Sequence, residues 1–334
     1  MIEILEGLSI FTIKLFLIVI AIVVIISQIK SKKTSSNHHK QDLAVEIINQ
    51  QLSDFQLTIA EKTLEKKHLK VIKTQQKKHK HDIQQKDKAY WLSFKGDMNA
   101  SGKQQLKDEI TAVLTMASPA DMIVLSLTSG GGSVTSYGHA TAQLQRVRNA
   151  NIPLTVCIDE VAASGGYLMA SVANKIIAAP FAMVGSIGVW IGLPNFNKWL
   201  KKNDINWEEI TAGDHKRNLS LLGEVSHDNR LQAKKQATDI HEQFKNHVAY
   251  YRPNINIETI SNGDVWSGTE ALKQGLVDEV MSTEDYIQSL CQSRMVVKVS
   301  IQPNKTWLQK CLNNKIMSQD IFNKAIHWLR ELNR

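Results

Sequence analysis

Residues 122–132 read MIVLSLTSGGG, and residues 154–166 read LTVCIDEVAASGG. Each is a short apolar run, rich in β-branched residues, that stops at a cluster of small residues and opens into a helical period. Runs of this length ended by Gly and Ser fit strands buried on both faces, as parallel sheets require. The pattern extends outward in both directions. Residues 90–94 and 175–178 predict further strands. Residues 103–116 and 136–149 predict helices, and so do a segment from 165 to 173, the long polar stretch 227–251 and a short helix at 269–274 capped by Gly275. Residues 207–211 are predicted as one more strand. Strands alternating with helices through short turns make an α/β fold with parallel pairings.

In such folds, ligands collect where strands end and helices begin. Three Gly/Ser-rich turns hold that position here: 130–132, 164–166 and 185–188. Gly130, Gly131 and Gly132 lack the lysine of a phosphate loop and the spacing of a dinucleotide fingerprint. They serve equally as a tight turn or as a place where a backbone N–H approaches an oxyanion. Ser164 lies between two alanines and two glycines, so its hydroxyl is accessible. Ala162 stands where a GxSxG elbow has its first glycine, and a serine before a helix is more often an N-cap. The candidate bases are His139, His215, His227, His241, His247 and Lys216, with Asp159, Asp214 or Asp239 as orienting carboxylates. A lysine acts as base only when neutral, which burial and nearby positive charge favour. Trp190, Phe196 and Trp199 suit a substrate groove, a core or a membrane contact.

The chain has 334 residues and a formal net charge of +8. Residues 62–88 hold ten Lys against Glu65, Asp82 and Asp87, whereas from Ala89 onward 25 basic residues face 23 acidic ones. The charge is therefore local. No aromatic residues interleave with these lysines, which excludes a nucleic-acid stacking platform. A solvated, amphipathic helical linker is the favoured reading, with attraction of a membrane-tethered segment to anionic lipid headgroups as an intermediate one. His79 and His81 lack neighbouring carboxylates and cysteines at ligand spacing, and Cys157, Cys291 and Cys311 form no CxxC pair, so neither a metal site nor a disulfide framework is expected.

Residues 8–26, LSIFTIKLFLIVIAIVVII, are long enough to cross a membrane as a helix. Glu3 and Glu6 precede them and no small-residue cleavage site follows, which favours an uncleaved anchor over a signal peptide. Lys30, Lys32, Lys33 and Lys40 then place the remainder in the cytoplasm by the positive-inside rule. The expected organisation is an anchor over 1–29, a Lys-rich linker over 30–88, a catalytic domain over 89–290 and a partly helical tail over 291–334.

TSGGG (128–132), VAASGGYLMA (161–170), APFAMVGSIGV (179–189), TAGDHKR (211–217) and VWSGTEALKQGLVDEV (265–280) together resemble the signal peptide peptidase A (S49) family of membrane serine proteases. The resemblance implies a ClpP/crotonase-like α/β fold behind one transmembrane helix and a charged linker. It implies a Ser–Lys dyad, with Ser164 as nucleophile, Lys216 as general base, Ser186 orienting the lysine and the Gly131 N–H in the oxyanion hole. It also implies peptide or unfolded-protein substrates, a homo-oligomer, no cofactor, and an inner-membrane location with the catalytic domain periplasmic, against the positive-inside rule. A catalytically silent scaffold and a crotonase-like acyl-thioester enzyme are the alternatives. Many members of the family carry proline where this chain has Ser129.

Overall fold

The computed structural model describes residues 42–213, 216 and 219–302; the apolar stretch 8–26 lies outside them. Among the described residues, no helix is long and apolar enough to cross a membrane. The chain runs through β1 (Asp42–Ile47), α1 (Ile48–Thr63), α2 (Lys66–Gln84), β2 (Lys88–Gly96), α3 (Lys103–Leu114), β3 (Met122–Ser129), α4 (Val134–Asn149), β4 (Leu154–Ile158) and β5 (Val161–Ala163). It continues through α5 (Gly165–Ala170), β6 (Lys175–Ala178), β7 (Met183–Gly185), α6 (Asn197–Lys202), α7 (His227–Tyr251), α8 (Ile257–Ile260), β8 (Val265–Ser267), α9 (Gly268–Lys273), β9 (Glu279–Val280), α10 (Thr283–Ser293) and β10 (Met295–Gln302).

The sheet has the order β1-β10-β2-β3-β4-β6-β9, and a branch of β5, β7 and β8 leaves β3 near its end. β2, β3, β4 and β6 pair in parallel; β3, β4 and β6 are almost continuously buried, as their apolar sequences require, whereas burial along β2 alternates. Helices cover the sheet: Leu106, Ile110 and Val113 of α3 and Leu144 and Val147 of α4 pack on Leu92, Leu125, Leu127 and Val156. Each such side chain contributes about 1.5–3 kcal/mol by leaving water. The result is a mixed α/β fold, as the alternating pattern predicts.

Three segments differ from expectation. Residues 207–211 form no strand. No neighbouring strand offers them a ladder, and Ile210 is 98% exposed. Glu209 instead accepts hydrogen bonds from Trp207 Nε1 (2.9 Å) and Ser220 Oγ (2.6 Å), which hold the segment as a loop. Residues 42–47, inside the stretch read as linker, form a strand at the sheet edge, and β10 joins β2 beyond residue 290. The short helix α9 is present as expected, with Leu276 and Val277 buried after its Gly275 cap and Leu272 facing solvent.

Glu109 of α3 is 1% exposed, and its Oε1 accepts from Gln105 Nε2 (2.8 Å) and the Ile301 N–H (2.9 Å). Its Oε2 meets no donor among the described residues. Burial pushes this carboxyl above its usual range. A raised folded value means that the native state keeps a proton the unfolded chain has already released. Stability is then greatest at acid pH and falls as pH rises from about 4.3 through the folded value. Glu109→Gln removes this dependence, so the parent's Tm declines relative to the variant's across that range. Parallel Tm curves would show that the buried carboxyl does not matter.

Candidate active site

The three Gly/Ser turns singled out in the sequence are neighbours. Ser129 pairs in register with Ala162, and Ala162 and Ala163 pair in parallel with Val184 and Gly185. The chain leaves β3, β5 and β7 at the same end of adjacent strands, as α/β ligand sites require. Ser164 and Ser186 each directly follow their strand, and each has φ +51°. The Ser164 N–H donates to the Gly185 carbonyl (2.8 Å), and the Ser186 N–H donates to the Asp264 carbonyl. Ser186 is thus set beside Ser164 by strand register.

Ser164 has φ +51° and ψ −120°, a sparsely populated conformation for a residue with a side chain. It occupies the N-cap position of α5, yet its side chain makes no capping hydrogen bond. The N-cap explanation of this serine therefore fails, and its Oγ is left for other use. The strand–serine–helix turn is an elbow in geometry although Ala162 breaks the GxSxG spelling. Ala162 is wholly buried against its strand neighbours, where a small side chain serves as well as none.

Ser164 lines a cleft of about 430 Å³ together with Gly130, Gly131, Gly132 and Gly165. Val134, Leu168, Val189, Trp190, Ile240 and Phe244 make its apolar walls. Trp190 lines this cleft and is 85% exposed, which removes the core reading of it. Gly131 has φ +87°, and a Cβ there would lie 2.7 Å from both the Gly165 nitrogen and Ser164 Cβ. Its N–H donates to Ser129 Oγ (3.1 Å), which also hydrogen-bonds Tyr137 Oη (2.5 Å). Tyr137 Oη donates in turn to the Asp97 carbonyl (2.8 Å). Ser129, the residue at the family's proline position, therefore ties the glycine turn to α4 and, through Tyr137, to the backbone just after β2. Sequence reading missed this network, although a buried Tyr two turns from a serine is its only local mark.

Lys216 is not brought to this cleft. It is exposed on the loop between α6 and α7, its N–H donating to the Gly213 carbonyl (3.1 Å), and it is absent from the cleft lining. Asp214, His215 and Arg217 lie outside the described residues. Among the candidate histidines, His247 of α7 lines the cleft. Its Nε2 is buried and meets no partner among the described residues. Burial holds the imidazole below its ordinary value, only partly offset by the nearby Leu168 backbone, which favours the neutral form. His139, His227 and His241 do not reach the cleft.

Residues 146–297 match peptidase family S49, and residues 3–144 match the peptidase family S49 N-terminal region. A protein named probable protease SohB from Buchnera aphidicola subsp. Schlechtendalia chinensis is 40% identical over 285 residues, covering 82% of this chain and 93% of the relative. A probable protease SohB from Haemophilus influenzae is 35% identical over 324 residues, with 92% of each chain covered. A solved membrane-bound stomatin-specific protease is similar at a TM-score of 0.42 and 17% identity, covering 61% of this chain and 84% of its own.

Proposed function

The chain belongs to peptidase family S49 as a SohB-type member, and from that premise we propose that it is a membrane-anchored serine endopeptidase using a Ser164–Lys216 dyad. The observation that carries this reading is Ser164 itself: a serine in a strained elbow, without a capping bond, in an apolar cleft beside the glycine turn. The hydroxyl makes no capping bond, and backbone strain of this kind collects at functional positions.

In the proposed reaction, Ser164 Oγ attacks the peptide carbonyl and gives its proton to the Lys216 amine. The carbonyl oxygen, now anionic, takes the Gly165 N–H at the start of α5 and the Gly131 N–H, which turns from Ser129 Oγ to meet it. The Ser164 N–H is already engaged with Gly185, so its neighbour is the better donor. The Lys216 ammonium protonates the leaving amine, and water then hydrolyses the acyl-enzyme. Ser186, placed beside Ser164, is suited to orient the lysine amine. The apolar cleft walls fit small or apolar side chains of unfolded or membrane-released peptides.

Lys216 must come in from solvent for this chemistry. Its loop also exposes Trp207 and Ile210, and the preceding helix α6 exposes Trp199. A monomer rarely leaves such residues wet together, and a second copy covering them would carry the loop toward the cleft. The proposal therefore includes a homo-oligomer, with the ClpP/crotonase-like arrangement that the family resemblance implies. Residues 8–26 supply the inner-membrane anchor.

The test uses the full-length chain in detergent with an unfolded protein as substrate. Cleavage, and covalent capture of Ser164 by a fluorophosphonate, are expected. A chain that neither cleaves nor labels is the silent scaffold. Turnover of an acyl-thioester with no peptide cleavage would instead place it with the crotonase-like enzymes. Orientation is read separately: a C-terminal alkaline phosphatase fusion is active if the catalytic unit is periplasmic, and inactive if the lysines after residue 29 decide the topology.

A further inference from the structure

The helices α1 and α2 take no part in the cleft. α1 is pinned at its start: Ile48 is buried, Leu52 packs on the same cluster, and Asn49 spans to α10 and β10. Asn49 Nδ2 donates to the Cys291 (2.9 Å) and Arg294 (3.0 Å) carbonyls, and its Oδ1 accepts from the Val296 N–H (2.8 Å). Ile48, Leu52, Phe55 and Ile59 follow one another at helical spacing and share one face. The first two are covered by the domain, whereas Phe55 is 56% and Ile59 63% exposed. The apolar stripe thus runs on past the surface that explains its beginning.

α2 returns along α1. Gln76 Nε2 donates to the Ser53 carbonyl and to Gln56 Oε1 (both 3.1 Å), and Lys73 pairs with Glu61 (2.9 Å). These contacts use the inner sides of the hairpin and leave Phe55 and Ile59 outside it. Lys62 follows Ile59 by three residues on the same face. Lys66, Lys67 and Lys70 are exposed on the first turns of α2.

We propose that the α1–α2 hairpin docks on an anionic lipid surface, Phe55 and Ile59 entering the headgroup region while Lys62, Lys66, Lys67 and Lys70 meet the phosphates. Exposed apolar residues beside a dense set of lysines are the composition of an interfacial helix. Each lysine near such a surface strengthens attachment roughly fivefold. The charge of residues 62–88 is not matched in the rest of the folded chain, so it belongs to this hairpin and not to the enzyme as a whole. The reach of the chain agrees. Residues 27–41 separate the apolar stretch from β1 and extend at most about 50 Å, which keeps β1 near any membrane holding residues 8–26. The inference rests on that anchoring, and its test separates the two.

The full-length chain with Cys311→Ala and Ile59→Cys is labelled with an environment-sensitive dye, while Cys157 and Cys291 are buried and an Ile59 parent controls for their reaction. The protein is mixed with vesicles of phosphatidylcholine alone or with added phosphatidylglycerol. Flotation with both vesicle types reports the anchor; the dye reports the hairpin, whether or not the chain floats. A blue shift is expected with phosphatidylglycerol, lost in Lys62→Glu/Lys66→Glu/Lys70→Glu and at high salt. Flotation without a lipid-dependent shift overturns the proposal. So does a shift in detergent that grows with protein concentration, since a second copy then covers the stripe.

Discussion

Ser164→Ala removes peptide hydrolysis, lowering kcat by roughly four orders of magnitude or more, while the Tm stays within a few degrees of the parent. The size follows from what a lost nucleophile costs other serine proteases, in which only binding and the oxyanion donors remain. The intact fold follows from the structure, where Oγ makes no capping bond that alanine would break. Replacing the base separates two assignments. With Lys216 as base, Lys216→Ala falls to the level of Ser164→Ala, and the double variant loses nothing more, because the two act as one unit. His247→Ala then changes kcat/KM by a few-fold at most, through the cleft wall. If His247→Ala shows the large loss and Lys216→Ala does not, the base is the imidazole already in the cleft, and the dyad proposed here is wrong.

That choice shows where sequence and structure part. The strands at 122–129, 154–158 and 175–178 were legible because an unbroken apolar run leaves few alternatives for burial. The three turns were legible as turns, since clustered Gly and Ser mark the chain's exits from strands. Their adjacency was not, because it depends on β5 and β7, strands of three residues each, too short to carry a period. The elbow at Ser164 was hidden for a related reason. The strained Ser164 is tied by its N–H to Gly185, a contact across the sheet and not a local spelling. The misjudged strand at 207–211 is the reverse case, with alternating apolar residues that have no partner strand in the described fold. Lys216 on the following loop is legible only through family resemblance, because nothing in its own neighbourhood of sequence distinguishes it from a surface lysine.

Gly131→Ala is expected to lower kcat/KM by about a hundredfold or more and to depress the Tm, while Gly130→Ala leaves both near the parent. The two glycines are adjacent and read alike in sequence, so the contrast tests geometry alone. A Cβ on Gly130 meets nothing within 4 Å. A Cβ on Gly131 meets the Gly165 nitrogen and Ser164 Cβ at 2.7 Å and the Ala163 carbonyl at 2.8 Å, and none of these is the free end of a flexible side chain. The left-handed φ of +87° adds about 1–2 kcal/mol for any L-residue. The elbow and the glycine turn must therefore separate, which displaces the nucleophile and widens the gap between the two proposed oxyanion donors. Loss of one such donor costs roughly a hundred- to a thousandfold in kcat. Displacement also predicts slower fluorophosphonate capture at Ser164, a readout independent of substrate binding. Equal loss in both variants would mean that the turn acts through its flexibility, and full activity in Gly131→Ala would remove the glycine turn from the active site.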